Sequence, residues 1–87
     1  MKLAIAILNW NGLELLKRFL PFLCKYTSKT HEIYIIDNCS EDNSVNFIKK
    51  NFERIKVIKL NKNYGYAKGY NIGLKNINAE IICLLNN

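Results

Sequence analysis

The chain has 87 residues, of which 49% are hydrophobic and 23% charged, with one proline, four glycines and a formal charge of +6. This composition belongs to a folding chain and excludes disorder, collagen-like repeats and low-complexity tracts. A single domain of this size buries only roughly 60–65% of the surface its unfolded chain exposes, so the expected core is modest.

The first apolar stretch, Leu3 to Leu8, falls far short of the roughly 20 residues that span a bilayer. It runs directly into Asn9-Trp10-Asn11 with no small-residue cleavage site, which argues against a signal peptide. Its β-branched residues suit a strand covered on both faces, as in parallel sheets. A helix is expected next. Asn11 stands at the N-cap position with Glu14 three residues on, and Leu16, Phe19, Leu20 and Leu23 recur at helical spacing. Pro21 removes a backbone bond to Lys17 and is expected to bend this helix.

A second strand, Ile33 to Ile36, ends at Asp37-Asn38, and a second helix is expected after Ser40-Glu41-Asp42-Asn43 with Val45, Ile48 and Phe52 on its buried side. Ile55 to Leu60 alternates in part and reads as a strand near an edge. The third helix follows Asn63-Tyr64-Gly65 and carries Tyr70, Leu74 and Ile77. Gly65, Gly69 and Gly73 are spaced four apart; each glycine inside a helix costs about 1 kcal/mol against alanine, so a close approach to the sheet or to a ligand is expected there. The last strand, Ile81 to Leu85, stops at Asn86-Asn87.

Strands alternating with helices predict an α/β domain, a Rossmann-like open parallel sheet of about four strands with helices on both faces. In the order 3-2-1-4, the reversal between the first and fourth strands forms a crevice where ligands of open α/β sheets bind. Asn9, Trp10, Asn11, Asp37, Asn38, Asn86 and Asn87 fall at its strand ends. Trp10 either stacks on a nucleobase or packs against neighbouring loops. Asp37 either accepts hydrogen bonds from a base or ribose or forms an Asx turn. Asn11 reads first as the helix cap, and Asn9 is weak evidence alone among 13 asparagines. Lys68 either pairs with a phosphate or is solvated. No GxGxxG or GxxxxGK[ST] sequence occurs, which excludes the usual dinucleotide and Walker-type sites. A receiver-like signalling domain would need an acidic cluster after the first strand, and none is there.

The odd set Cys24, Cys39 and Cys83 has no CxxC pair, and His31 has no second ligand close in sequence; reduced thiols in a cytoplasmic compartment are the simpler reading. The densest basic group, Lys49, Lys50, Arg54, Lys56, Lys59 and Lys62, is either a solvated face or a surface for RNA or another polyanion. That second possibility makes a small basic α/β binding module the alternative function. It has no RNA-binding signature, so the leading expectation excludes nucleic acid as a partner.

Four blocks in this order, Ile5 to Gly12, Ile35 to Ser44, Asn63 to Asn71 and Leu84 to Asn87, resemble the nucleotide-sugar glycosyltransferases of family two, with the GT-A fold, and most of all their rhamnosyltransferase-like subgroup of bacterial surface-polysaccharide synthesis. The resemblance implies that residues 1–87 form the N-terminal, nucleotide-sugar-binding portion of a longer enzyme. It implies a nucleotide site of Asn9, Trp10, Asn11, Asp37, Asn38, Gly65, Lys68, Asn71 and Asn86, with Trp10 on the base and Asp37 at the base or ribose. It also implies Mg²⁺ or Mn²⁺ for the parent enzyme, bound through an Asp-x-Asp motif. Asn86 and Asn87 stand at the first two positions of that motif, and the metal-binding Asp would follow them. The implied reaction is inverting transfer from a nucleoside-diphosphate sugar to a glycan or lipid-linked acceptor, at the inner face of the membrane or in the cytoplasm. Catalytic residues are expected outside this chain, so residues 1–87 alone are expected to be inactive. Ile81 to Leu85 would be an exposed edge, expected to drive self-association.

Overall fold

A computed structural model describes residues 2–86, and for Asn86 the backbone only. The chain order is β1 (Leu3–Asn9), α1 (Leu13–Tyr26), β2 (Glu32–Asp37), α2 (Ser44–Asn51), β3 (Ile55–Lys59), α3 (Tyr66–Leu74) and β4 (Ile81–Asn86). All strands pair in parallel in the order β3-β2-β1-β4, as expected from the alternation of strands and helices. Ile5 pairs with Ile33 and with Cys83, and Asn9 pairs with Asp37, so the tips of β1 and β2 end level with each other.

The period of two along each strand divides the core. Ile7, Ile33, Ile35 and Ile55 pack with Leu16 and Leu20 of α1 and Ile48 of α2 on one face. Ala4, Ala6, Tyr34 and Ile36 pack with Tyr70 of α3, Leu60 and Ile77 on the other. Each fully buried isoleucine is worth about 1.5–3 kcal/mol of apolar burial, so both faces contribute to holding the sheet. The glycines explain how α3 lies so close. A Cβ at Gly73 would stand 2.5 Å from Ile36 Cδ1 and 2.6 Å from its Cγ2, and one at Gly69 would stand 3.0 Å from Asn38 Nδ2. The close approach is to the sheet.

One local expectation changes. The N-cap of α1 is Gly12, with no side-chain cap bond, whereas Asn11 lies at φ 51 and faces a different loop. The helix runs on through Pro21 to Tyr26, with its last carbonyls gathered by Arg54. That guanidinium donates to the carbonyls of Cys24, Thr27, Ser28 and His31 at 2.9–3.1 Å. A fork of fixed donors at a helix C-terminus satisfies orphan carbonyls and opposes the negative end of the dipole. With Arg54 spent on the backbone, Lys56 paired with Glu32 and Lys62 lying 5.1 Å from the Tyr64 ring centroid, three of the six residues in the densest basic group have internal partners. No helix among the described residues is long and apolar enough to cross a membrane.

Candidate nucleotide site at the strand tips

Asn9 ends β1 fully buried, which a primary amide tolerates only with its hydrogen bonds made. Its Nδ2 donates to Asp37 Oδ1 at 3.0 Å and to Ser40 Oγ at 3.2 Å, and its Oδ1 accepts the Gly12 N–H at 3.2 Å. Asp37, 1% exposed, takes the Ser40 N–H on Oδ2 at 2.9 Å and the Ser40 hydroxyl on Oδ1 at 2.7 Å. The side chain of Asp37 thus closes a turn on the backbone three residues ahead, a local role of the kind open at the sequence level. Asp37 is nonetheless one of the residues that line the cavity beside this loop.

Asn11 completes the join. Its left-handed backbone, which asparagine tolerates better than most residues, turns Oδ1 toward the β2–α2 loop. There it accepts the N–H groups of Glu41 at 2.7 Å and Asp42 at 3.2 Å, and its own N–H reaches Ser40 Oγ at 2.9 Å. Asp42 then serves two helices: Oδ2 accepts Leu13 N–H at the start of α1, and Oδ1 accepts the N–H and hydroxyl of Ser44 at the start of α2. Burial works against its charge, but these hydrogen bonds prevail and hold its pKa below the ordinary aspartate value.

On the opposite side Asn38, 2% exposed, binds the loop before α3 through Tyr64 N–H at 2.9 Å and the Gly65 carbonyl at 3.0 Å. Gly65 has φ +81, the left-handed region that favours glycine, and opens α3 as its N-cap. Lys68 is exposed with Nζ 5.4 Å from the Tyr64 ring centroid, and Asn71 is exposed one turn into the helix. Trp10, 51% exposed, stands at the β1 tip among these tied loops. A cavity of about 230 Å³ opens beside Asp37, lined by Cys39, Ser40, Asp42 and Lys59 among others.

The structure thus gathers Asn9, Asn11, Asp37 and Asn38 into one hydrogen-bonded frame, with Gly65 joined through Asn38. The backbone of Asn86 ends β4 beside Leu8; its side chain and Asn87 lie outside the described residues. Ser40 and Asp42 are the frame residues that the sequence reading used only as a helix start. The signal for Ser40 was its place three residues after Asp37, within reach of a side-chain-to-backbone bond. Among the described residues no three His, Cys, Asp or Glu side chains come together, so the described residues do not build a metal site.

An open parallel sheet with its polar loops tied at a topological switch point defines a nucleotide-type α/β fold. Residues 4–87 match glycosyl transferase family 2, and the chain belongs to that family. Among solved structures, S. aureus TarS 1-349 in complex with UDP is similar at 26% identity and TM-score 0.86, covering 99% of this chain and 27% of that one. The same protein in complex with UDP-GlcNAc matches at 26% identity and TM-score 0.85 over 99% of this chain and 26% of that one. A mannosyltransferase, PcManGT from Pyrobaculum calidifontis, in complex with GDP-Man and Mn²⁺, shares the fold at 16% identity and TM-score 0.85, over 97% of this chain and 26% of that one. The chain therefore spans about a quarter of the length of each of these structures. No curated protein matches it.

Proposed function

We propose that this chain holds the nucleotide of a nucleoside-diphosphate sugar at the tips of β1, β2 and β4, and that the protein transfers the sugar to a polysaccharide or other glycan acceptor with inversion. The observation that carries the reading is the buried Asn9–Asp37 pair, which locks two strand tips together next to a half-exposed Trp10. Membership of the family and likeness to a UDP-bound and a UDP-GlcNAc-bound protein support it.

In this reading Trp10 stacks on the base, while Asn9, Asn11, Asp37 and Asn38 keep its loops in place. Gly65, Lys68 and Asn71 border the pocket from α3, and Asn86 borders it from β4. Lys68 offers a cation to the diphosphate. The rhamnosyltransferase-like resemblance makes a nucleoside-diphosphate rhamnose a candidate donor beside UDP-GlcNAc. Donors of this kind place the reaction on the cytoplasmic side, at the inner face of the membrane for a lipid-linked acceptor. A divalent ion belongs to the proposal for the whole protein only, since the residues described here do not build its site. Self-association through Ile81–Leu85 is proposed too, because Ile81 and Leu84 are 45% and 47% exposed on the edge strand. Light scattering that shows a monomer at all concentrations rejects it.

The test is calorimetric titration of the protein with UDP, GDP and TDP. One of them is expected to bind, and Trp10→Ala should weaken it by about 1–3 kcal/mol, the worth of a base–aromatic stack. Binding of none, or equal binding by the variant, rejects the site. The anomeric configuration of the product tests inversion.

A further inference from the structure

Tyr70 is counted above as a core residue, yet its hydroxyl has a separate task. The side chain is 3% exposed on α3, and its oxygen accepts the Leu8 N–H at 3.1 Å and donates to the Leu85 carbonyl at 2.6 Å. The β1–β4 register pairs Ile7 with Leu85 and Leu8 with Asn86. In a regular parallel ladder at that register, Leu8 N–H and Leu85 C=O are the two halves of one rung. Two further observations fix the phenol there. Gly69 lets α3 press on the tip of β1, since a Cβ at that position would stand 3.1 Å from Leu8 Cδ1. The Tyr66 ring meets the Tyr70 ring edge-on at 5.2 Å between centroids. Burial also pushes the phenol pKa up, so the proton that Leu85 receives stays in place.

We infer that Tyr70 is a positioning residue that ties the carboxyl ends of β1 and β4 to each other and to α3, and so sets the shape of the nucleotide crevice between Asn9-Trp10 and the end of β4. The phenol bonds both strands at the last pairs of their ladder, so the two tips and α3 are fixed relative to one another while it is present. The inference rests on the nucleotide reading above for its consequence, and on the two hydrogen bonds for its geometry.

Tyr70→Phe tests it, because the ring keeps its packing and only the bridge is lost. Tyr34→Phe is the control: that hydroxyl also sits on a buried tyrosine of the same sheet face, but it bonds Glu32 at the far end of β2. In the native polypeptide, nucleoside-diphosphate affinity is expected to fall roughly five- to tenfold in Tyr70→Phe, the scale of one buried hydrogen bond, and to stay level in Tyr34→Phe. The Leu8 amide proton should shift in the NMR spectrum of Tyr70→Phe as it loses the phenol oxygen. Unchanged affinity with a folded spectrum overturns the positioning role, and an unmoved Leu8 amide overturns the bridge. Wild-type protein that binds no nucleoside diphosphate rejects the nucleotide reading instead, and the Leu8 amide still decides the bridge. If Tyr70→Phe does not fold, Gly69→Ala, which pushes α3 away from Leu8, is expected to lower affinity in the same direction; unchanged affinity there overturns the role.

Discussion

An asparagine side chain offers two donors and an acceptor in a short, stiff package. Asn9, Asn11 and Asn38 use theirs to tie three loops that lie far apart in sequence. The amides were visible in the sequence, but their partners were not. Asn11 looked like a local helix cap because its true acceptor role faces Glu41 and Asp42, 30 and 31 residues away. Two acids carry a testable pH signature. Side-chain bonds from Lys56 and then Lys2 lower the Glu32 pKa to about 2, and Asp42 is also lowered. A carboxylate with a depressed folded pKa takes up more protons when unfolded. Its stabilisation is therefore present above the unfolded value of about 4 and lost as pH falls through the folded one. The thermal midpoint is expected to hold steady from neutral pH down to about 5 and to fall between about 4 and 2. Asp42→Asn should flatten part of that fall, and an unchanged acid limb in the variant contradicts the assignment. At neutral pH the same change should cost about 0.5–2 kcal/mol, as the loss of a helix cap does.

The elements were the most legible part of the molecule. β1 reads as buried on both faces because Ala4 and Ala6 look toward α3 while Ile5 and Ile7 look toward α1 and α2, so every position is apolar. β3 reads as an edge because Lys56 and Lys59 alternate with Val57 and Ile58, and it is the outermost strand. The glycine spacing in α3 announced a close approach, but only the fold tells that the sheet is what comes close. Gly73→Ala is expected to lower stability, although alanine is better in a helix by about 1 kcal/mol. The new methyl would meet three side-chain atoms of Ile36 at 2.5–2.7 Å, and a stiff, fully buried β-branched residue cannot swing aside. Overpacking of this kind costs about 1–3 kcal/mol. Denaturant unfolding of Gly73→Ala, alone and with Ile36→Ala, measures it: the pair should be less damaging than the sum of the two, and simple additivity contradicts the contact.

Across the whole molecule, chain order and right-handed crossovers account for why the polar strand ends share one rim. The order β3-β2-β1-β4 puts β1 at the centre, with α3 on the opposite face from α1 and α2. The frame next to Trp10 was only half legible, because Asp37, Ser40 and Asp42 act on one another across a fold that periodicity does not specify. The chain spans about a quarter of TarS 1-349, and its strand ends form a rim of loops tied by hydrogen bonds. Nitrogen-15 NMR during titration with UDP, GDP and TDP probes that rim directly. The account predicts amide shifts concentrated at residues 9–11, 38–42 and 64–71 for one nucleotide. Shifts gathered instead along Lys49, Lys50, Lys59 and Lys62, or none for any nucleotide, contradict it.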